Sequence, residues 1–192
     1  NHGLQPSTAA ASLPLPRGTR AIVSGSCSVA TNAQVQHFLG AGGAAFRIDP
    51  LAIGRGDDVS GAALKWAETR LAASQPVLFY ATAEAASVAA VQAPLGVAQS
   101  GEAVERVLSQ VARGLVARGV RQLVVAGGET SGACVQALGI ERLRIGPQIA
   151  PGVPWCHAAC AVADKDGLHI ALKSGNFGAE DFFPGAFEAL PA

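Results

Sequence analysis

The chain has 192 residues, a formal net charge of zero, and is 49% hydrophobic, 15% charged and 5% aromatic. That length holds one domain with a sizeable core and is short for two. The apolar content excludes a disordered chain, and the balanced charge offers no basic footprint for nucleic acid.

No apolar run reaches the ~18 residues of a membrane span, so no membrane partner is expected, and no signal-peptide pattern opens the chain. Cys27, Cys134, Cys156 and Cys160 lack the spacing of a disulfide framework, and a cytoplasmic protein with reduced thiols is the reading. Low charge with abundant Ala, Val, Leu and Gly suits an α/β fold: a three-layer αβα domain with a mostly parallel sheet.

Residues 1–18 are rich in Ala, Ser and Pro without periodicity and read as a linker or N-terminal arm; residues 19–192 form the domain. A first strand, Arg20 to Ser24, runs into Gly25-Ser-Cys-Ser28, and Thr31 or Asn32 is the expected cap of a helix carrying Val35, Phe38 and Leu39. Gly40 to Gly43 follows that helix and precedes a strand (Ala44 to Ile48), so its glycines end the helix rather than open a dinucleotide fingerprint. Asp49 stands at about the distance past Ser24 at which an acid can hold a ribose hydroxyl; the simpler reading is a turn residue. Asp57 and Asp58 precede a helix, Ala62 to Ala73. As a pair they suit magnesium, and as helix N-terminal acids they suit the dipole.

Pro76 to Thr82 is a third strand, and Ala83 to about Gly101 a short helix plus loop. Val104, Val107, Leu108, Val111, Leu115 and Val116 recur at helical spacing in Glu102 to Arg118. A buried strand (Leu123 to Ala126) then leads into Gly127-Gly-Glu-Thr-Ser-Gly132 and a helix from about Ala133. Another strand, Arg142 to Ile145, precedes Gly146 to Pro154, whose three prolines predict a stiff irregular loop. Trp155 to Val162 reads as a strand with buried thiols. Cys156, His157 and Cys160 lack a second Cys/His pair of structural-zinc spacing, so no metal ligands are assigned. A turn at Asp164 to Gly167 makes a hairpin with Leu168 to Leu172. The chain ends in an apolar helix or turn, Glu180 to Leu190, interrupted at Pro184-Gly185.

Three units share one grammar: strand, then glycine with hydroxyl or amide residues, then a helical segment. They are Ser24 to Ser28, Gly127 to Gly132 and Lys173 to Gly178. In a parallel sheet such loops gather at the carboxyl ends of the strands, where ligands bind. The chemistry suits a polyphosphate. Backbone N–H groups of Gly127, Gly128 and Gly132, hydroxyls of Ser24, Ser26, Thr130 and Ser131, the Lys173 charge and the Asn176 amide are the candidate donors. Phe177 is a candidate apolar wall, and Thr130 and Ser131 serve equally as helix caps. No P-loop, kinase loop set, nucleophile elbow or His-Glu-x-x-His motif occurs. Glu129 is a candidate base or a fixer of loop geometry.

Four segments, Val23-Ser-Gly-Ser-Cys-Ser28, Ala126-Gly-Gly-Glu-Thr-Ser-Gly132, Ile145-Gly-Pro-Gln-Ile-Ala-Pro-Gly-Val-Pro-Trp155 and Ala171-Leu-Lys-Ser-Gly-Asn-Phe-Gly178, resemble in order the C-terminal nucleotide-binding domain of the four-carbon acid sugar kinases. The nearest members are those acting on 3-oxo-tetronates. The resemblance implies ATP with Mg²⁺ as cofactors and phosphorylation of a terminal hydroxyl on a four-carbon acid sugar such as 3-oxo-tetronate. It implies nucleotide contacts at Ser24, Ser26, Gly127, Gly128, Glu129, Thr130, Lys173, Gly175, Asn176 and Gly178. It further implies an N-terminal sugar-binding domain of the same polypeptide as partner, carrying an Asp-Asp-x-Thr-Gly-Ala motif and the catalytic residues. This chain lacks that domain, so it alone is expected to be inactive. Asp57 to Ala62 echoes the motif by coincidence, and Gln148 replaces an acid found in some members. A homodimer is compatible with the sequence. The alternatives are a dinucleotide-binding dehydrogenase domain, on the first unit and Asp49, and a non-catalytic interaction domain whose loops only turn.

Overall fold

A computed structural model describes residues 12–81, 97–163 and 166–190. The elements in order are β1 (Thr19–Ser24), α1 (Val29–Gly40), β2 (Ala44–Arg47), α2 (Pro50–Gly54), α3 (Val59–Ala72), β3 (Val77–Tyr80), α4 (Val97–Ala117), β4 (Val120–Ala126), α5 (Gly128–Leu138), β5 (Arg144–Ala150), β6 (Val153–Ala158), β7 (Leu168–Lys173) and α6 (Phe182–Glu188). The expected short helix plus loop after β3 falls largely on residues outside those described, as do most of residues 1–18.

Seven strands form one sheet in the order β2-β3-β1-β4-β7-β6-β5. The first five are parallel, and β6 and β5 add an antiparallel hairpin at one edge. Strand side chains alternate between faces, and both faces here are apolar. Val23, Phe79, Leu123, Val125 and Ile170 pack beneath α3, α4 and α5. Ile22, Leu78, Val124, Trp155 and Ala171 pack beneath α1 and α6. This double cover is the three-layer αβα arrangement that the composition indicates.

Local chemistry explains the starts of three helices. Ser28, not Thr31 or Asn32, caps α1, its hydroxyl accepting from the Thr31 N–H. Asp49 caps α2 through the Leu51 N–H, and Asp58 caps α3 through the Gly61 N–H. Asp57 pairs with Arg55 at 3.0 Å. These three acids do structural work at exposed helix ends.

Four further expectations are corrected. Helix α5 starts at Gly128, five residues earlier than periodicity indicates, because apolar spacing cannot register a first turn of Gly, Glu, Thr and Ser. Helix α4 likewise begins at Val97, ahead of the expected Glu102. The segment Gly146 to Pro154 is a hairpin rather than an irregular loop: β5 continues to Ala150, turns at Pro151-Gly152 and returns as β6. Pro147 is tolerated because β5 is an edge strand, and the pairing slips between Ile145 and Gln148 and again before Ala150. Finally, α6 is uninterrupted, since Pro184 occupies the first turn, where a missing N–H breaks no helical bond.

Trp155 is fully buried and donates its indole N–H to the Ala186 carbonyl at 2.6 Å, tying β6 to α6. Trp155→Ala removes the ring and this bond and is expected to cost about 3–5 kcal/mol, read from urea denaturation of the two proteins.

Candidate functional site

Strands β1, β4 and β7 end side by side, with Ser24, Ala126 and Lys173 in register. The loops that follow are bonded to one another. Gly25 and Ser26 both donate N–H groups to the Ala126 carbonyl (3.1 and 3.3 Å), and Gly127 donates to the Lys173 carbonyl at 2.8 Å. The third side of the triangle runs through Gly175, whose carbonyl accepts from Ser28 Oγ (2.6 Å), Thr31 Oγ1 (2.7 Å) and Lys173 Nζ (3.1 Å). A side chain at position 175 would collide with the Ser26 hydroxyl, so glycine is required there for close approach of the two loops.

Lys173 is fully buried. Its ammonium donates to Thr31 Oγ1 at 2.9 Å and to the carbonyls of Ser174 (3.2 Å) and Gly175 (3.1 Å), and lies 5.8 Å from the Phe182 ring centroid. Burial pushes its pKa down to about 8. Gln34, also fully buried, directs its amide at the carbonyls of Phe177, Gly178 and Ala179, each 3.0 Å away. The loop after β7 is thus held by α1, through Ser28, Thr31 and Gln34.

Helix α5 differs from α1, α2 and α3 at its start: its N-cap is Gly127 (φ +123°), and no side chain caps it. The N–H groups of Gly128, Glu129 and Thr130 therefore precede the first intrahelical acceptor, which Gly127 supplies to Ser131 at 2.9 Å. Gly128 is exposed, with open space where a Cβ would point, so a ligand can approach its backbone. Thr130 is buried and donates its hydroxyl to Glu105 Oε1 of α4 at 3.0 Å. Burial, with the Glu129 charge adding to it, pushes the Glu105 pKa up against the lowering effect of the Thr130 hydroxyl.

The ten residues suggested by sequence and resemblance occupy one sheet edge in different ways. Gly128, Glu129 and Asn176 are exposed, Ser26, Gly175 and Gly178 are half-buried, and Ser24, Gly127, Thr130 and Lys173 are buried. The Ser26 hydroxyl turns inward to Ser28 Oγ at 3.2 Å. Ser24 Oγ is buried and makes no hydrogen bond among the described residues. Phe177 is 43% exposed and packs beside Gly152 of the hairpin turn. Sequence reasoning placed Ser28 in the first loop and Thr31 as a helix cap but missed their bonds to the Gly175 carbonyl, and it missed Gln34, one of several polar residues of α1. It also missed Glu105, an acid lying three residues before Leu108 and seven before Ala112 on the buried stripe of α4.

The fold and these loops define an αβα domain with a helix N-terminus open at the carboxyl edge of its parallel strands, an arrangement suited to anionic groups. The family model described as "Nucleotide-binding C-terminal domain" matches residues 21–183, and the chain belongs to this family, the C-terminal domain of the four-carbon acid sugar kinases. It is 54% identical over 181 residues to a 3-oxo-tetronate kinase of Cupriavidus necator, covering 94% of this chain and 40% of that protein. It is 56% identical to one of Burkholderia multivorans, covering 94% and 41%. The crystal structure of a Haemophilus influenzae protein superposes with a TM-score of 0.81 at 36% identity, over 92% of this chain and 41% of that one. The chain thus spans about two fifths of the length of the curated relatives it matches.

Lys173 makes a pH-dependent contribution. Its folded-state pKa of about 8 lies below the ordinary 10.5, so between those values the unfolded chain binds more protons and stability rises with pH. The expected slope approaches about 1.4 kcal/mol per pH unit. Denaturation from pH 7.5 to 10.5 should show a steeper rise for the wild type than for Lys173→Met, which removes the titrating group.

Proposed function

We propose that this chain holds the nucleotide donor of a sugar-acid kinase. The observation that carries the proposal is the uncapped start of α5, set between two loops that are hydrogen-bonded to it, in a chain of this family. The N–H groups of Gly128, Glu129 and Thr130 would take phosphate oxygens of ATP, with the positive end of the helix dipole behind them. The exposed Asn176 amide would reach the ligand from the loop after β7, and Phe177 would provide an apolar side.

Lys173 works differently in this reading. Its ammonium is committed to Thr31, Ser174 and Gly175, so it positions the loop instead of touching phosphate. Ser24 and Ser26 likewise shape the wall from within. ATP supplies the phosphoryl group, and Mg²⁺ the charge neutralisation that phosphoryl transfer needs. Magnesium that keeps several waters and binds through the phosphates requires few protein ligands. This fits a site whose donors are mainly backbone groups. The residues of this chain bind and orient the donor. The four-carbon sugar acid, such as 3-oxo-tetronate, and the base that receives its proton belong to a sugar-binding part of the longer polypeptide.

The dehydrogenase alternative loses its acidic residue, because the Asp49 carboxylate caps α2. Calorimetry with ATP, ADP and NAD, with and without Mg²⁺, separates the readings: adenine nucleotide binding is expected, and binding of NAD alone would overturn the proposal. Assays of the longer enzyme with 3-oxo-tetronates, threonate and erythronate would test the acceptor. Gly128→Glu places a carboxylate in open space at the first helical turn, where the fold accepts it. It should weaken ATP binding by about tenfold or more through charge repulsion, with thermal stability unchanged or slightly raised.

A further inference from the structure

The geometry of one side chain, Glu105, extends the nucleotide reading and rests on it. Glu105 reaches from α4 to the first turn of α5. Its Oε1 accepts the Thr130 hydroxyl at 3.0 Å, while its Oε2 is buried without a hydrogen-bond partner among the described residues. The loop after β1 closes over this pair: a side chain on Gly25 would collide with Thr130 Oγ1 and stand 2.8 Å from Glu105 Oε1. A buried carboxylate oxygen with no donor is costly, whereas a neutral carboxyl is far cheaper to bury.

No compensating cation faces this carboxyl among the described residues. On α5 the neighbours are Glu129, whose charge opposes ionisation, and Cys134, whose own pKa is pushed up to about 12 by burial and by Glu105. Strands β1 and β4 offer the apolar Val23 and Val125 on this face. The ion pairs Arg55–Asp57 beyond α2 and Glu68–Arg118 between α3 and the end of α4 are solvent-exposed. On α4 itself, Glu102 and Arg106 are exposed. A polyphosphate on the N–H groups of Gly128 to Thr130 would bring further negative charge within one helical turn, and like charge favours the protonated form.

We infer that Glu105 is a positioning residue that carries a proton on Oε2 when nucleotide is bound, so that binding a nucleotide draws a proton from solvent. Thr130 keeps its bond to Oε1 in both states. Its hydroxyl fixes the first turn of α5 against α4 and the loop after β1. Only the charge of the carboxyl changes, from carboxylate to carboxylic acid.

The test is calorimetric titration of the 192-residue chain with ADP in buffers of different ionisation enthalpy, for the wild type and Glu105→Gln. The wild type is expected to take up more protons than the variant, by up to about one per nucleotide. Its affinity should rise by up to about tenfold per pH unit as pH falls between the free and bound pKa values. Glu105→Gln, which keeps an acceptor for Thr130 and stands for the protonated form, should bind ADP at least as tightly as the wild type, without this dependence on pH, and lose that extra uptake. Equal proton counts with ADP bound by both proteins would overturn the inference and leave the nucleotide reading standing. Absence of ADP binding by the folded wild type would overturn both. Should the variant fail to fold, the ¹³C carboxyl resonance of wild-type Glu105 decides. Its titration midpoint moves upward with ADP if the inference holds, and an unmoved midpoint sinks it.

Discussion

The buried ammonium of Lys173 is the constraint on which the site depends. Taking an isolated ammonium out of water costs several kcal/mol even after relaxation, and hydrogen bonds to a charged donor return roughly 1.5–3 kcal/mol each. The charge is therefore tolerable only while Thr31 Oγ1 and the carbonyls of Ser174 and Gly175 surround it. Those acceptors come from α1 and from the loop after β7, so burial of one side chain specifies how two distant segments meet. The Gly175 carbonyl is the shared point, also accepting from Ser28 and Thr31. Ser28 in turn caps α1. Helix start, loop conformation and sheet edge are parts of one polar cluster inside an apolar layer.

Capping chemistry divides the helices by role. Ser28, Asp49 and Asp58 satisfy the first turns of α1, α2 and α3 with their own side chains, which leaves little for a ligand there. Gly127 cannot do so for α5. Its φ of +123° suits glycine and strains other residues, and the turn it makes lets β4 pass directly into a helix without a capping side chain. Thr130, which might have served as a cap, instead bonds sideways to Glu105. The helix is thereby braced against α4 while its backbone donors stay free. The family match over residues 21–183 gives that open terminus a chemical context, and it lies where the loops after β1 and β7 meet β4.

Much of the architecture was legible in the chain. The short continuous apolar runs of β1, β3 and β4, the apolar stripe of α4, and the Gly/Ser punctuation after three strands led to a layered α/β domain with a ligand edge. The β5–β6 hairpin was not legible, because proline is weighed locally as a breaker and its harmlessness depends on β5 lying at an edge. The start of α5 was hidden for a related reason: Gly128, Glu129, Thr130 and Ser131 carry no apolar period, and what makes them helical is the packing of α5 on α4 and β4. Thr31 reads from the sequence as a helix cap, and Gln34 carries no signal among the other polar residues of α1. Their burial follows from the loop that folds back over α1 from about 140 positions later in the chain.

What the sequence by itself determined is the list of parts: short apolar strands, the apolar faces of the longer helices, three glycine loops, and a neutral, apolar composition that suits a doubly covered sheet. These follow from short-range sterics and periodicity, which act between near neighbours. Tertiary structure alone decided which polar groups meet. Whether Lys173 faces solvent or three oxygens, whether Ser26 turns outward or inward, and whether Glu105 is a surface acid or the brace of α5 all depend on elements far apart in the chain. The cost of burying a charge is decided by the completed environment, and no local pattern contains it.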